Sequence, residues 1–365
     1  MITLASLIER FEADCLAKYH HALLPSHRQA LAAMKRCRTH MAPRMLAQCS
    51  GCHEQLTVPH SCGHRSCPHC QHFESQRWLE RQTQRLVAGS YFLVTFTLPA
   101  QLRPLAWQHQ RIVYDLLMDC AWQTLRTFSQ NHRHLQGSPG AIAVLHTHGR
   151  DLRFHPHVHL VIPGAALDAD KRLWRVLPAK AKYLFNEKAL AKVFRAKLLA
   201  ALHEQGFAVP AVPMKWVADC TRVGDGRKAL VYLGRYLYRG VIQEHDIVGC
   251  DGVSVTYRWR DGKSGKTMLR TLNGATFLWL VLQHVLPKGF RRARNHGFLH
   301  PNCKRLIALL RLLVFRPTAC PAQPTQRPTL VCRCCGAPMV ILKRRIPSTL
   351  GEPPGAVAQG ADLST

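Results

Sequence analysis

The chain is 365 residues long, enough for two or three domains with a sizeable core, and its 50 Lys and Arg against 21 Asp and Glu leave a formal charge of +29. A surplus that large points to a polyanion, nucleic acid before any other, because every phosphate neutralised releases counterions. A membrane span is excluded: the most apolar stretches, FLWLVLQHVL (277 to 286) and LIALLRLLVF (306 to 315), fall far short of the roughly 20 residues required, and Arg311 interrupts the second.

The N-terminus, MITLASLIERFEADC, meets acidic residues early and lacks the basic start and apolar run of a signal peptide, so a cytosolic, cytoplasmic protein is expected. LIERFEADCLAKY and HRQALAAMKRC then read as two helices parted at Leu24-Pro25-Ser26, with Ser26 as a cap. A cysteine cluster follows at 49 to 70. FESQRWLERQTQRLVAG reads as a charged helix closing at Gly89, YFLVTFTLP (91 to 99) as a strand, and roughly 104 to 130 as a long helix. AIAVLHTH, a turn at Gly149-Arg150-Asp151 and RFHPHVHLVIPG then form a β-hairpin. Beyond it, LWRVL and AVPMKWVAD read as short strands around a helix at 186 to 205. A further helix spans about 226 to 239, and VSVTYRWRDGKSGKTMLRTL pairs two alternating runs across a polar turn. Residues 276 to 315 read as helical and basic, and the Gly-, Pro- and Ala-rich stretch from about Pro347 as disordered.

Fifteen cysteines, an odd and clustered set, suit metal binding in a reducing compartment better than a disulfide framework. Cys49-Ser-Gly-Cys52 and Cys67-Pro-His-Cys70, two CxxC knuckles with fourteen residues between them, suggest a structural zinc site of four thiolates: Cys49, Cys52, Cys67 and Cys70. Cys62, His53, His60, His64 and His69 are spare donors, which leaves a mixed set or a second ion open. Cys332-Arg-Cys-Cys335 is a further CxxC, with Cys320 and Cys303 nearby to complete a site.

In the histidine strand, Phe154, Val158, Leu160 and Ile162 alternate with the other set, so His155, His157 and His159 share one face, where neutral imidazoles can converge on a divalent ion. On the helix GDGRKALVYLGRYLYRG, the 3.6-residue period gathers Lys228, Tyr232, Arg235, Tyr236 and Arg239 in one stripe, away from Leu230, Leu233 and Leu237. Two phenols one turn apart among three cations suit a phosphate-facing surface better than an apolar core. Tyr238 falls off the stripe and reads as core or rim. A phenol with a pKa of about 10 is a poor nucleophile at neutral pH, so its attack on a phosphodiester needs a metal to polarise the phosphate. The His-Val-His pair supplies one.

HPHVH, the hairpin around it, the YxxxY of YLGRYLYRG, YFLVTFTLP, the cysteine run SCGHRSCPHCQ and the block LPKGFRRARNHGF occur in an order that resembles the two-tyrosine HUH transposases of rolling-circle insertion sequences, from about residue 10 to 315. The resemblance implies an α+β fold: a helical, zinc-binding DNA-recognition region (1 to 90), an HUH nuclease domain with a central antiparallel sheet (91 to 275), a basic segment with a possible CxxC (276 to 345) and a tail (346 to 365). It implies Tyr232 and Tyr236 as nucleophiles, His157 and His159 as ligands of a catalytic Mg²⁺ or Mn²⁺, and structural Zn²⁺. A third ligand comes from His146 or His148, both able to face His157's side in the hairpin, with His146 preferred. Lys228, Arg235, Arg239, Arg291 and Arg292 are the expected DNA contacts. Ser66 stands where the family often has His before its CPxC knuckle.

The activity implied is cutting and rejoining of single-stranded DNA through 5′-phosphotyrosine. Alternatives are an HUH relaxase or replication initiator, and a non-catalytic zinc-ribbon regulator. DGKSGKT (261 to 267) imitates a phosphate-binding loop, but Arg260 occupies its first glycine position and it lies between strands, so no ATPase follows.

Overall fold

A computed structural model describes residues 2–168, 173–178, 180–181, 183–238, 240–262, 264–313 and 329–347, with the side chains of Tyr236, Tyr238, Arg311 and Leu313 outside that description. The expected disorder beyond Pro347 also falls outside it. Two amphipathic helices come first, α1 (Leu4–Tyr19) and α2 (Pro25–Arg36). Thr3 caps α1 by accepting from Ser6 N; α2 starts on its own proline, after Leu24. Strands β1 (Arg44–Cys49) and β2 (Gln55–Pro59) follow, then α3 (His72–Thr83), which stops six residues short of Gly89.

The central sheet begins with β3 (Tyr91–Thr97). Helices α4 (Arg103–Gln108) and α5 (Gln110–Gln130) lead to β4 (Ser138–His148) and β5 (Phe154–Pro163), the expected hairpin. Then come β6 (Ala165–Asp168), β7 (Leu173–Val176), α6 (Glu187–Glu204) and β8 (Ala218–Arg222). Of the stretch AVPMKWVAD only Ala218 and Asp219 enter a strand. Helix α7 (Arg227–Tyr238) precedes β9 (Ile247–Cys250), the hairpin β10 (Ser254–Arg260) and β11 (Thr267–Asn273), and α8 (Gly274–Leu282).

The expectation of continuous helix from 276 to 315 is corrected by a strand, β12 (Ala293–Gly297), between α8 and α9 (Lys304–Leu313). Gly289 and Gly297, at φ 76° and 57°, bracket that strand in left-handed conformations that break a helix. A Cβ on Gly297 would sit 1.8 Å from the Pro139 carbonyl oxygen, so the turn tolerates only glycine. The last described strand, β13 (Met339–Ile346), returns to pair with β1.

The strands of the seven-stranded central sheet pair antiparallel in the order β7-β6-β4-β5-β3-β8, with β12 also on β4. Alternation along β5 divides its two faces. Val158, Leu160 and Ile162 join Val94, Phe96 and Leu145 in a core under α5 and α6, into which Val113, Leu117, Leu125, Phe194 and Leu198 project. Val161 joins Tyr91, Ile142 and Val144 on the other face, covered by Leu230, Leu233 and Leu237 of α7 and Trp78 of α3. The expected α+β architecture with a central antiparallel sheet is the one observed. A third core joins Leu7, Ile8 and Phe11 of α1 and Leu31 of α2 to Phe277, Leu278 and Val281 of α8 and Val255 of β10, so its members lie on both sides of positions 90 and 275.

Candidate metal centres and nucleic-acid cleft

The histidine site is built by strand register. His146 of β4 stands directly opposite His157 of β5, and His159 is two residues further along the same strand, so all three imidazoles emerge on one face. Their ring nitrogens come within 4.8 Å of one another. A register shift between His146 and His148 carries His148 away from this set to the ring of His284, 5.0 Å between centroids. His155 also stands apart, its Nδ1 accepting from Arg103 at 2.7 Å.

Hydrogen bonds fix which nitrogens face the site. His157 Nδ1 lies 2.6 Å from the His155 carbonyl oxygen, which can only accept, so Nδ1 carries the proton and Nε2 keeps a free lone pair. His159 Nδ1 meets Thr95 Oγ1 at 2.8 Å, Thr95 being its cross-strand partner on β3. Its buried Nε2 has no hydrogen-bond partner among the described residues, an arrangement that costs free energy unless an ion completes it. Burial pushes the His157 pKa down to about 4 and holds His146 and His159 well below the usual imidazole range, with the neighbouring imidazoles adding to the effect. All three are therefore neutral at pH 7 and ready to ligate a divalent ion. The donor set fits.

Helix α7 lies over this face. Gly226, at φ 84°, turns the chain into it so closely above Tyr91 that a Cβ would meet that ring at 2.9 Å, and Asp225 accepts from Arg227 N in the first turn. The Tyr232 ring is thereby placed 5.8 Å from that of His159 and 6.2 Å from that of His146. Tyr236 lies one turn further along the helix backbone; its side chain, and the whole of Arg239, are outside the described residues.

A cleft of about 540 Å³ opens beside Tyr232, lined by Arg150, Arg235, Arg258, Trp259 and Arg260. Four arginines face one carboxylate there, Asp246, which Arg258 already engages at 2.9 Å. Arg235, on the same helix as Tyr232, is part of that lining. Lys228 is exposed but outside the cleft lining. Arg291 is exposed, whereas Arg292 is a brace, donating to the carbonyls of Leu145 and Leu237 and so tying β4 to α7 behind the histidines. None of Thr95, Arg150, Arg258, Trp259 and Arg260 stands out as a site residue in the sequence. The alternation of Tyr257 and Trp259 with Arg258 and Arg260 was the available signal.

The cysteines regroup. Cys49, Cys52, Cys67 and Cys70 do not form one set, because the knuckles lie on different structures: Cys67 and Cys70 meet Cys37 and Cys62, and Cys49 and Cys52 meet Cys332 and Cys335. In the first group the sulfurs of Cys37–Cys70, Cys37–Cys67 and Cys62–Cys70 are 3.4, 3.6 and 3.6 Å apart. Those spacings approach the edge of a tetrahedron with Zn–S near 2.3 Å, roughly 3.8 Å. The crowded thiols act on one another in opposite directions, holding Cys70 well below the usual thiol range and bringing Cys37 down to about 7 while pushing Cys62 and Cys67 up. Four sulfurs from four chain positions, with thiolate favoured at two, suit structural zinc.

Two family profiles match: "Transposase zinc-binding domain" over residues 7–98 and "Putative transposase" over 140–306. The "Putative transposase y4qJ" of Sinorhizobium fredii (strain NBRC 101917 / NGR234) is 31% identical over 319 residues, covering 81% of this chain and 79% of that protein. The chain belongs to the IS91-family two-tyrosine transposases with an N-terminal zinc-binding domain. A second member, the transposase for insertion sequence element IS801 of Pseudomonas savastanoi pv. phaseolicola, is 29% identical over 286 residues, covering 72% of this chain and 65% of its own. The transposase is also similar to solved chains of the conjugative relaxase TrwC. One, complexed with a 27-mer DNA comprising the recognition hairpin and the cleavage site, has 17% identity and a TM-score of 0.26 over 33% of this chain and 47% of that one. Another, in complex with mutant OriT DNA, has 15% identity and a TM-score of 0.26 over 60% and 70%. The family member thus spans about half of the first relaxase chain. Among its described residues no helix is long and apolar enough to cross a membrane.

Proposed function

We propose that this transposase cuts and rejoins single-stranded DNA through 5′-phosphotyrosine intermediates, with Tyr232 and Tyr236 as nucleophiles and His146, His157 and His159 holding a divalent Mg²⁺ or Mn²⁺. The reading rests on one observation above all: three neutral imidazoles on one sheet face with the Tyr232 ring 5.8 Å from His159, beside a cleft of four arginines. When bound, the divalent ion polarises the scissile phosphate and offsets charge on the leaving oxygen.

The chain's own residues do the rest. Arg150, Arg235 and Arg260 hold the strand by its phosphates while Trp259 offers a face for a base. A tyrosine Oη attacks phosphorus, the bond to the 3′-oxygen breaks, the phenolic proton leaves to solvent, and the departing 3′-oxygen takes a proton from solvent to become a hydroxyl. The ester so formed retains the phosphodiester, and the freed 3′-hydroxyl, or one from another strand, later displaces the phenol to reseal the DNA. A second tyrosine one helical turn away, Tyr236, can take a second strand before the first is released.

His157→Ala and His159→Ala should each abolish cleavage of single-stranded oligonucleotides, while binding at moderate salt stays within about threefold, since affinity comes chiefly from phosphate contacts. Cleavage by the unmutated protein should vanish in EDTA and return with Mg²⁺ or Mn²⁺. Full cleavage in EDTA would remove the metal from the reading, and binding without cleavage under every condition would favour a non-catalytic regulator.

A further inference from the structure

Cys332 and Cys335 lie outside the 7–98 stretch that matches a zinc-binding domain, yet they meet two cysteines inside it. The Cys49 and Cys335 sulfurs are 3.3 Å apart, those of Cys52 and Cys332 3.6 Å, and those of Cys52 and Cys335 3.5 Å. Each knuckle turns its backbone amides toward its own first sulfur: Gly51 N and Cys52 N donate to Cys49 at 3.3 and 3.4 Å, and Cys334 N to Cys332 at 3.4 Å. Amides aimed at sulfur are the outer hydrogen bonds that orient a metal-ligating side chain. The knuckles are also in contact elsewhere, since Ser50 donates to the Pro338 carbonyl from both its amide and its hydroxyl, at 3.1 and 2.8 Å.

The surrounding structure cannot hold itself by burial. Strands β13, β1 and β2 form a three-stranded sheet of their own. Among the described residues, its apolar cluster has only Ala47, Cys49, Cys332 and Met339 as buried members, two of them cysteines of the proposed set. A core so small needs a metal or a covalent staple. The ends being joined are distant in sequence, Cys52 and Cys332 lying 280 positions apart.

We propose that Cys49, Cys52, Cys332 and Cys335 form a second structural zinc site, a ribbon assembled from both ends of the chain that clasps β13 to β1. The Cys37, Cys62, Cys67 and Cys70 group is then the zinc site contained within the N-terminal zinc-binding domain, and the two sites load independently. The proposal does not depend on the nuclease reading.

The test is zinc content of the full-length chain by elemental mass spectrometry, purified under reductant without chelator. In a His157→Ala/His159→Ala background, which keeps the imidazole set from taking zinc, the protein with all its cysteines should carry about two ions, and the Cys332→Ser/Cys335→Ser double variant about one. Adding Cys49→Ser and Cys52→Ser to that variant should remove no more, because all four sulfurs serve one ion. Hydrogen exchange on the double variant should rise in β1 and β2, and that of α5 and β5 stay unchanged, which separates local opening from unfolding. One ion in the protein with all its cysteines, two retained in the double variant, both lost together, or disulfides found on alkylation of denatured protein would each overturn it.

Discussion

Thr95 acts on the histidine site from across the sheet. Its hydroxyl holds His159 Nδ1 at 2.8 Å and so leaves Nε2 facing His146 and His157. Thr95→Val keeps the β-branched shape and loses the hydrogen bond, so the affinity for Mn²⁺, read by calorimetry, should fall by roughly 10- to 100-fold, and Thr95→Ser should restore most of it. His27 governs a different property. It is fully buried beside Trp107 and Trp279, its Nδ1 accepts from Leu24 N at the start of α2, and burial lowers its pKa from 6.5 to about 4. Between those values the unfolded chain binds a proton that the folded chain refuses, so stability is complete above pH 6.5 and declines as pH falls toward 4, by about 3 kcal/mol at most for this group. Denaturant midpoints measured from pH 7 to 4 should fall less steeply in His27→Gln than in the unmutated protein; parallel curves would dismiss His27 as the cause.

Among the elements, the β10–β11 hairpin and α7 form the two sides of the cleft. Single-stranded DNA loses about 0.7 in log–log salt slope for each phosphate contact removed, so Arg150→Ala combined with Arg235→Ala should flatten the salt dependence of binding by about 1.4. An unchanged slope would send the strand elsewhere. Which elements were readable follows from what their residues encode. The 3.6-residue period of α7 and the alternation in β4 and β5 are local, so the Tyr232 stripe and the histidine face could be read directly, whereas hairpin register left both His146 and His148 open and only the register shift between them selects His146. The block around Gly289 and Gly297 was misread as helix because its basic residues carry no clear period and the deciding contact, Gly297 against Pro139, joins segments far apart in sequence.

For the molecule as a whole, long-range closure was the illegible part. Two CxxC knuckles fourteen residues apart suggest one ion, yet spacing does not say which knuckles share it, and the choice is made by β13 pairing with β1 and by Cys37 at the end of α2. The shared core of α1, α2, α8 and β10 was equally hidden, since each helix shows an apolar face without naming its partner. Charge was legible in amount but not in place: +29 foretells a polyanion, while only folding collects Arg150, Arg235, Arg258 and Arg260 beside Tyr232. In the proposed reaction a tyrosine of α7 becomes joined to DNA. The most direct measurement incubates the full-length protein and Mn²⁺ with single-stranded oligonucleotides tiling the DNA that flanks its coding sequence, and maps any covalent adduct by peptide mass spectrometry. The expected product is a 5′-phosphate ester on Tyr232 or Tyr236, each site lost in its own Tyr→Phe variant, with Tyr238→Phe neutral. Cleavage that leaves no protein attached to DNA, or an adduct on Tyr238 alone, would contradict it.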